Sequence, residues 1–270
     1  MLSPVRALIL VLAWSLCGWV RAQPVAPWIT ETDLPVWATG DAAFAAHPAA
    51  LVGDTSTAVV LAAGDRFHVP GLQDGFVGIH RPLGPRHHLA AGIRQFGFVL
   101  YRETTLSMCY ALRAHDRLDL GIALHHHILA VPGQRVRYRP SADLSLIARL
   151  TDRWQVAAIV RNASATRLTA DPADRLPLAL ALGVTHRAHE RVAVSLWTQL
   201  DDAQTWRMGA GLSYRPVQRW QADLGVHVRP WAVSMGGVLR TDRLRIHLAV
   251  LVRAGIAASP STLVRWRVDG

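Results

Sequence analysis

The sequence predicts an all-β fold, an antiparallel transmembrane β-barrel of about fourteen strands with a short N-terminal helical plug segment. Three observations predict it. From about residue 55 onward, short runs alternate between large apolar and small or polar residues, with turns of Gly, Pro, Asp, Asn or Arg between them. Many of these runs have the about 9–11 residues that a tilted strand needs to cross a bilayer. The strands of soluble domains are nearer to about five or six. Finally, 51% of the 270 residues are hydrophobic and only 18% charged, against about 25% in ordinary soluble chains. After the N-terminus there is no run of about 18 apolar residues, so a helical span is not expected.

The first element, residues 1–22, reads as a signal peptide. Arg6 supplies a positive start, "ALILVLAWSLCGWV" an apolar stretch, and Val20 and Ala22 the small residues of a cleavage site. Cleavage after Ala22 would remove Cys17 and leave Cys109 alone, so no internal disulfide is expected. Residues 23–54 form the second element. Pro24, Pro27 and Pro35 deny them a long strand. The piece "DAAFAAHPAALVG" suits a short helix that plugs the lumen against small residues at 181, 183, 209, 211, 225 and 236.

The third element, residues 55–270, is the barrel. Its runs lie near 55–63, 74–81, 87–95, 104–113, 117–130, 141–150, 154–161, 176–186, 191–199, 205–215, 220–228, 231–240, 243–253 and 260–268. Strand residues point alternately to opposite faces. In 243–253, Leu244, Ile246, Leu248, Val250 and Val252 share one face, and Arg245, His247 and Ala249 take the other. In 207–215, Met208, Ala210, Leu212 and Tyr214 oppose Arg207, Gly209, Gly211, Ser213 and Arg215. In 118–128, Leu118, Leu120, Ile122 and Leu124 oppose Asp119, Gly121, Ala123, His125 and His127. The second face is small in mid-strand and polar near the ends. That suits a narrow interior, with the aliphatics turned to lipid. Trp154, Trp206, Trp220, Trp231 and Trp266 stand at run ends, where aromatic girdles lie, whereas Trp197 sits on the small face. The links "RTDR" and "HRAHER" are tight, and 161–177 is long and polar.

The C-terminal half, "LPLALALGVTHRAHERVAVSLWTQLDD", "WRMGAGLSYRPVQRWQADLGVHV" and "WAVSMGGVLRTDRLRIHLAVLVRAGIAASPSTLVRWRV", resembles the outer-membrane PorV/PorQ-like family within the FadL-like barrel group. "AAFAAHPAALVG" resembles that family's "NPAGLA" segment, with His47 in place of Asn. His186 stands where the family has Tyr, and Ser213 where it has Glu. The resemblance implies a non-enzymatic outer-membrane barrel of a Gram-negative cell. Its role would be protein secretion or surface attachment, with secretion-machinery or surface proteins as partners. A FadL-like channel taking up hydrophobic small molecules is the alternative, and a secreted soluble β-protein that binds a ligand is a third reading.

His125 and His127 share a face and could begin a metal site, but a third ligand is missing from the pattern. His87–His88, beside "PLGPR", read as a loop pair, and Asp201–Asp202 as a solvated turn. Ser213, Asp223, His227 and Ser234 could meet inside, but no "GxSxG" elbow occurs. Neither a phosphate loop nor "CxxC" is present, so no cofactor is expected. The lumen-facing candidates are therefore Arg207, Ser213, Arg215, Asp223, His227, Arg245, His247, His125 and His127. All 29 basic side chains are Arg, giving a net charge of +10. They are scattered without a basic block, so nucleic acid is not an expected partner.

Overall fold

The computed structural model describes residues 47–65, 71–166, 176, 178–201, 206–228, 231–253 and 258–268. The signal segment, its cleavage site and most of the stretch 23–54 lie outside these residues. The described chain opens with one 3-10 turn, Pro48–Gly53, and continues as strands. These are β1 (Ala58–Asp65), β2 (Gln73–Pro82), β3 (His87–Phe98), β4 (Tyr101–His115), β5 (Leu118–Ala130), β6 (Arg137–Arg149) and β7 (Trp154–Arg161). There follow β8 (Ala179–His189), β9 (Val192–Asp201), β10 (Trp206–Val217), β11 (Trp220–Val228), β12 (Ala232–Arg240), β13 (Leu244–Arg253) and β14 (Ser259–Arg267). Each strand pairs antiparallel with its sequence neighbours, and β1 also pairs with β14, so the sheet closes on itself. Closure leaves no unpaired edge.

Every predicted run became a strand, because alternation and turn chemistry are local signals that a barrel wall does not override. The ends differ more. β4 starts at Tyr101 and β6 at Arg137, earlier than the runs suggested, because polar residues there continue the ladder beyond the apolar band. His87–His88 is strand and not loop: both residues pair with β4, opposite Leu112 and Ala111. Asp201 likewise ends β9, and Asp202 lies outside the described residues.

The two faces separate cleanly. Leu61, Val77, Ile93, Met108, Leu124, Leu182, Leu212, Leu224 and Leu248 are exposed on the outside. Ala62, Ala90, Ala111, Ala123, Ala157 and Ala181 are buried within. A continuous belt of exposed aliphatics around a closed barrel is the surface of a membrane-embedded protein, and it overturns the soluble reading. Exposed aromatics border the belt at both ends. Trp154, Trp220, Trp266 and Tyr214 lie at one end, and Trp206, Trp231 and Tyr138 at the other.

The two rims differ. At one, which also holds the start of β1 and the end of β14, the connections are the short turns 83–86, 116–117, 150–153, 190–191, 218–219 and 241–243. We call it the turn rim. The opposite loop rim carries the long connection 162–178. One tight link on the loop rim depends on glycine: Gly97 has φ 132, and a Cβ there would lie 2.0 Å from the Tyr101 carbonyl oxygen.

Candidate functional site

The lumen is the one place where polar side chains, small residues and the N-terminal segment converge. The segment enters it because the inner face of β3–β6 is small. Leu51 and Val52 pack on Ala90, Cys109, Ala111 and Ala123. Ala49 and Ala50 pack on Ile147 and Ala157, with Trp197 reaching over from β9. The Ala49 amide donates to Ser145 Oγ at 2.9 Å. A Cβ on Gly121 would stand 2.2 Å from that same amide nitrogen, so the helix touches bare backbone. The short plug expected from the sequence is therefore present over Pro48–Gly53, but against a different wall. Among the described residues the turn's main contacts are with β3–β6 and not with the strands that carry the small residues singled out at 181, 183, 209, 211, 225 and 236; residues 41–46 of the expected plug lie outside the described residues. Gly209 instead makes room for the Trp197 indole, 2.6 Å from where a Cβ would be, and His227 meets the same ring edge-on at 5.4 Å.

A polar latch holds the segment at the turn rim. Asp54 pairs with Arg265 of β14 and lies 3.4 Å from His80 Nδ1. Asp54 also accepts from the Ser56 amide and hydroxyl, and Arg265 donates to Ser56 Oγ at 2.8 Å. Burial pushes the Asp54 carboxyl up. The hydrogen bond from His80 and the Arg265 cation outweigh that and hold it well below the ordinary carboxylate range. His80 stacks on His88, with 3.3 Å between ring nitrogens. Arg113 donates to the Val52 carbonyl and pairs with Asp119, which also pairs with Arg149. His47, fully buried at the head of the plug, is kept neutral by burial and by Arg161, which together lower its pKa to about 4.

The histidine run splits as strand alternation requires. His126 stacks outside on Tyr138, and His125 and His127 lie on the inner face. Ser107 and Asp143 engage His125; Thr105 and Ser141 engage His127. Both nitrogens of each ring therefore have protein partners, and none is left to bind a metal. Among the described residues no group of three His, Cys, Asp or Glu is placed to hold one.

On the opposite wall Ser213 donates to Asp223 at 2.6 Å, Gln221 donates to the same oxygen at 2.8 Å, and His247 stands 3.8 Å from the other. This corrects the grouping expected from the sequence: His247 joins Ser213 and Asp223, while His227 packs on Trp197. The arrangement is also wrong for a serine activated by histidine, since the carboxylate sits between hydroxyl and imidazole and the hydroxyl donates to the carboxylate and not to the ring. Arg207 lies near the loop rim, opposite Gln199.

The sequence reading also missed the order among the arginines. Pairs of them face one another across adjacent strands at the turn rim. The amide of the second donates to the carbonyl of the first in Arg86–Arg113, Arg117–Arg149, Arg153–Arg187, Arg191–Arg215, Arg219–Arg240 and Arg243–Arg267. The missed signal was a repeat across the turns: "RAHDR", "RLTDR", "RAHER", "RPVQR" and "RTDR". Arg245, one rung further in, faces both Arg240 and Arg265.

Toward the loop rim a cavity of about 1310 Å³ lies over β14, β1, β2 and β3. It is lined by lumen-facing Ala62, Asp74 and Phe76 and also by outward-facing Leu61, Val77, Ile93 and Thr262. The strands beneath it are short: β1 has 8 residues and β14 has 9, as do β11 and β12, against 15 in β4. Asp74, at the edge of the cavity, is held by Arg94 at 2.6 Å.

Solved structures share this architecture. The CymD monoaromatic hydrocarbon channel aligns with a TM-score of 0.66 at 12% identity, covering 86% of this chain and 94% of that one. A Pseudomonas aeruginosa FadL homologue aligns at 0.64 and 10%, covering 93% and 99%. The Pseudomonas putida toluene transporter TodX aligns at 0.62 and 12%, covering 92% and 99%. This chain has their fold. At such identities the likeness extends to the fold alone. No family model matches the sequence, and no curated protein does.

Proposed function

We propose that the protein is an outer-membrane channel admitting small hydrophobic molecules, with the turn rim in the periplasm and the longer loops outside. The observation that carries this reading is the cavity at the loop-rim edge of the wall over β14, β1, β2 and β3. Its lining is mainly apolar (Leu61, Phe76, Val77, Ile93 and Phe98), and it touches the outer surface and the lumen together. A hydrophobic molecule would find apolar contact on both sides of that edge. The CymD hydrocarbon channel and the TodX toluene transporter, which share the fold, support the uptake reading. No structural observation favours the secretion or surface-attachment role implied by the PorV/PorQ resemblance.

The test is uptake of the fluorescent hydrophobic amine N-phenyl-1-naphthylamine by cells carrying the barrel in their outer membrane. Expression should raise the initial rate several-fold over cells carrying a sealed barrel of similar size, and Phe76→Arg should return it to background. Equal rates with and without the protein would overturn the reading.

A further inference from the structure

We propose that the periplasmic mouth of the barrel is a docking collar for an acidic polypeptide segment. The collar is made by the six arginine rungs of the turn rim. The proposal takes its orientation from the membrane reading above and does not depend on what the channel carries.

The rungs are costly as they stand. Like charges directly opposite on neighbouring strands destabilise a sheet, and this barrel repeats the arrangement at six turns. An Arg-rich composition explains arginine in place of lysine, but not its placement on both members of each rung. The turns carry acids of their own in Asp116, Asp152, Glu190 and Asp242. Among the described residues, however, none of the four makes an ion pair with a rung arginine. Arg153, Arg191, Arg219 and Arg243, the turn members of four rungs, are exposed and have no side-chain hydrogen bond or ion pair among the described residues. Asp119 inside the barrel pairs with Arg113 and Arg149; at the four turns of Arg153, Arg191, Arg219 and Arg243 the collar remains a positive field whose complement comes from outside the barrel.

Alternation and width define the occupant. Arg153, Arg191, Arg219 and Arg243 each stand two residues before an inner-face position, at Gln155, Ala193, Gln221 and Arg245. They line the mouth and do not face the bilayer, which argues against lipid headgroups. A wall of this strand number is about 25 Å across between backbones, so opposite rungs cannot close on one small anion. An extended polyanion that fills the mouth can meet several rungs together, and in the periplasm that is an acidic stretch of protein.

The full-length protein in phosphatidylcholine nanodiscs, titrated with a fluorescently labelled oligoglutamate peptide, tests this by anisotropy. Binding should be strong at low ionic strength and lost near about 1 M salt, where screening reaches about 3 Å. The triple variant Arg153→Gln, Arg191→Gln, Arg243→Gln should weaken it about tenfold. A control triple on the loop rim, Arg135→Gln, Arg137→Gln, Arg139→Gln, should leave it unchanged. The rim variant keeps every backbone pairing and should melt no lower than the parent, because it removes repulsion. No binding by the parent, or equal weakening in both triples, would overturn the collar. Equal competition by inorganic phosphate would make it a small-anion site. Displacement of the peptide by monomeric short-chain phosphatidylglycerol, and not by glycerol phosphate at the same concentration, would make it a lipid site. Either result sinks the polypeptide proposal.

Discussion

The β3–β6 wall and the β8–β13 wall have the same outer face and opposite inner ones. Outside, both are aliphatic: Leu124 and Leu248 are each 56% exposed. Inside, the first wall seats the 3-10 turn on alanine and bare glycine backbone, with the Asp119 pairs and the His125 and His127 groups on the same face. The second holds Trp197, His227 and the Ser213–Asp223–His247 group, and it meets the described turn through Trp197. Lipid asks the same of every strand, whereas the lumen asks something different of each. A barrel's outer face is thus a property of its class, and its inner face is where one protein departs from another.

Three experiments press on that contrast, beginning with the largest effect. Asp54→Ala should leave Arg265 buried without its anion, at a cost of about 3–5 kcal/mol, and free the plug, read as lost hydrogen-exchange protection at Ala49–Val52. The same readout gives a pH test. The folded carboxyl titrates below its unfolded value of about 3.9, so the latch contributes fully above that value. Its stabilisation is lost only as pH falls through the lowered folded value. Protection should therefore hold through neutral and mildly acid solution; loss between about pH 5 and 7 would instead point to the histidines.

Next, Leu124→Arg and Leu248→Arg should each cost about 2–4 kcal/mol in urea unfolding from lipid, the midplane penalty for such walls. A large difference between them would show that the outer faces are not equivalent. Smallest is the inner pair. Ala123→Leu, under the plug, should cost about 1–3 kcal/mol by overpacking. Ala249→Ser, on the bare wall, should stay within about 0.5 kcal/mol. Gly209→Ala belongs with these. It should push the Trp197 ring off the plug and loosen Ala49 and Ala50 from across the lumen, seen in the same exchange experiment.

The wall was legible in the sequence because each strand reports its own environment through its own alternation. Leu244 to Val252 need no distant partner to read as lipid-facing. The lumen was not legible, because its pairings are made by closure. His247 joins Asp223 two strands away, and Ser145 reaches the Ala49 amide across 96 residues of sequence. The glycines looked alike in the sequence, yet Gly121 admits the plug and Gly209 admits an indole. His88 read as loop because "PLGPR" precedes it, but the strand resumes at once. The arginine repeat was present in the letters. It was passed over because its members lie far apart in the chain until the barrel closes.

The latch has a consequence for assembly. Ser56 and Arg265 are separated by 209 residues, and β14 is the last strand of the wall. Asp54 and Ser56 therefore gain their partner only when the final hairpin has found β1. Until then loop-closure entropy is unrewarded, and nothing from the last strand tethers the plug. Locking of the N-terminal segment thus reports that the cylinder is complete. A chain stalled before its last hairpin would present Leu51 and Val52 on an unlatched tether, so the state of this segment separates an unfinished barrel from a finished one.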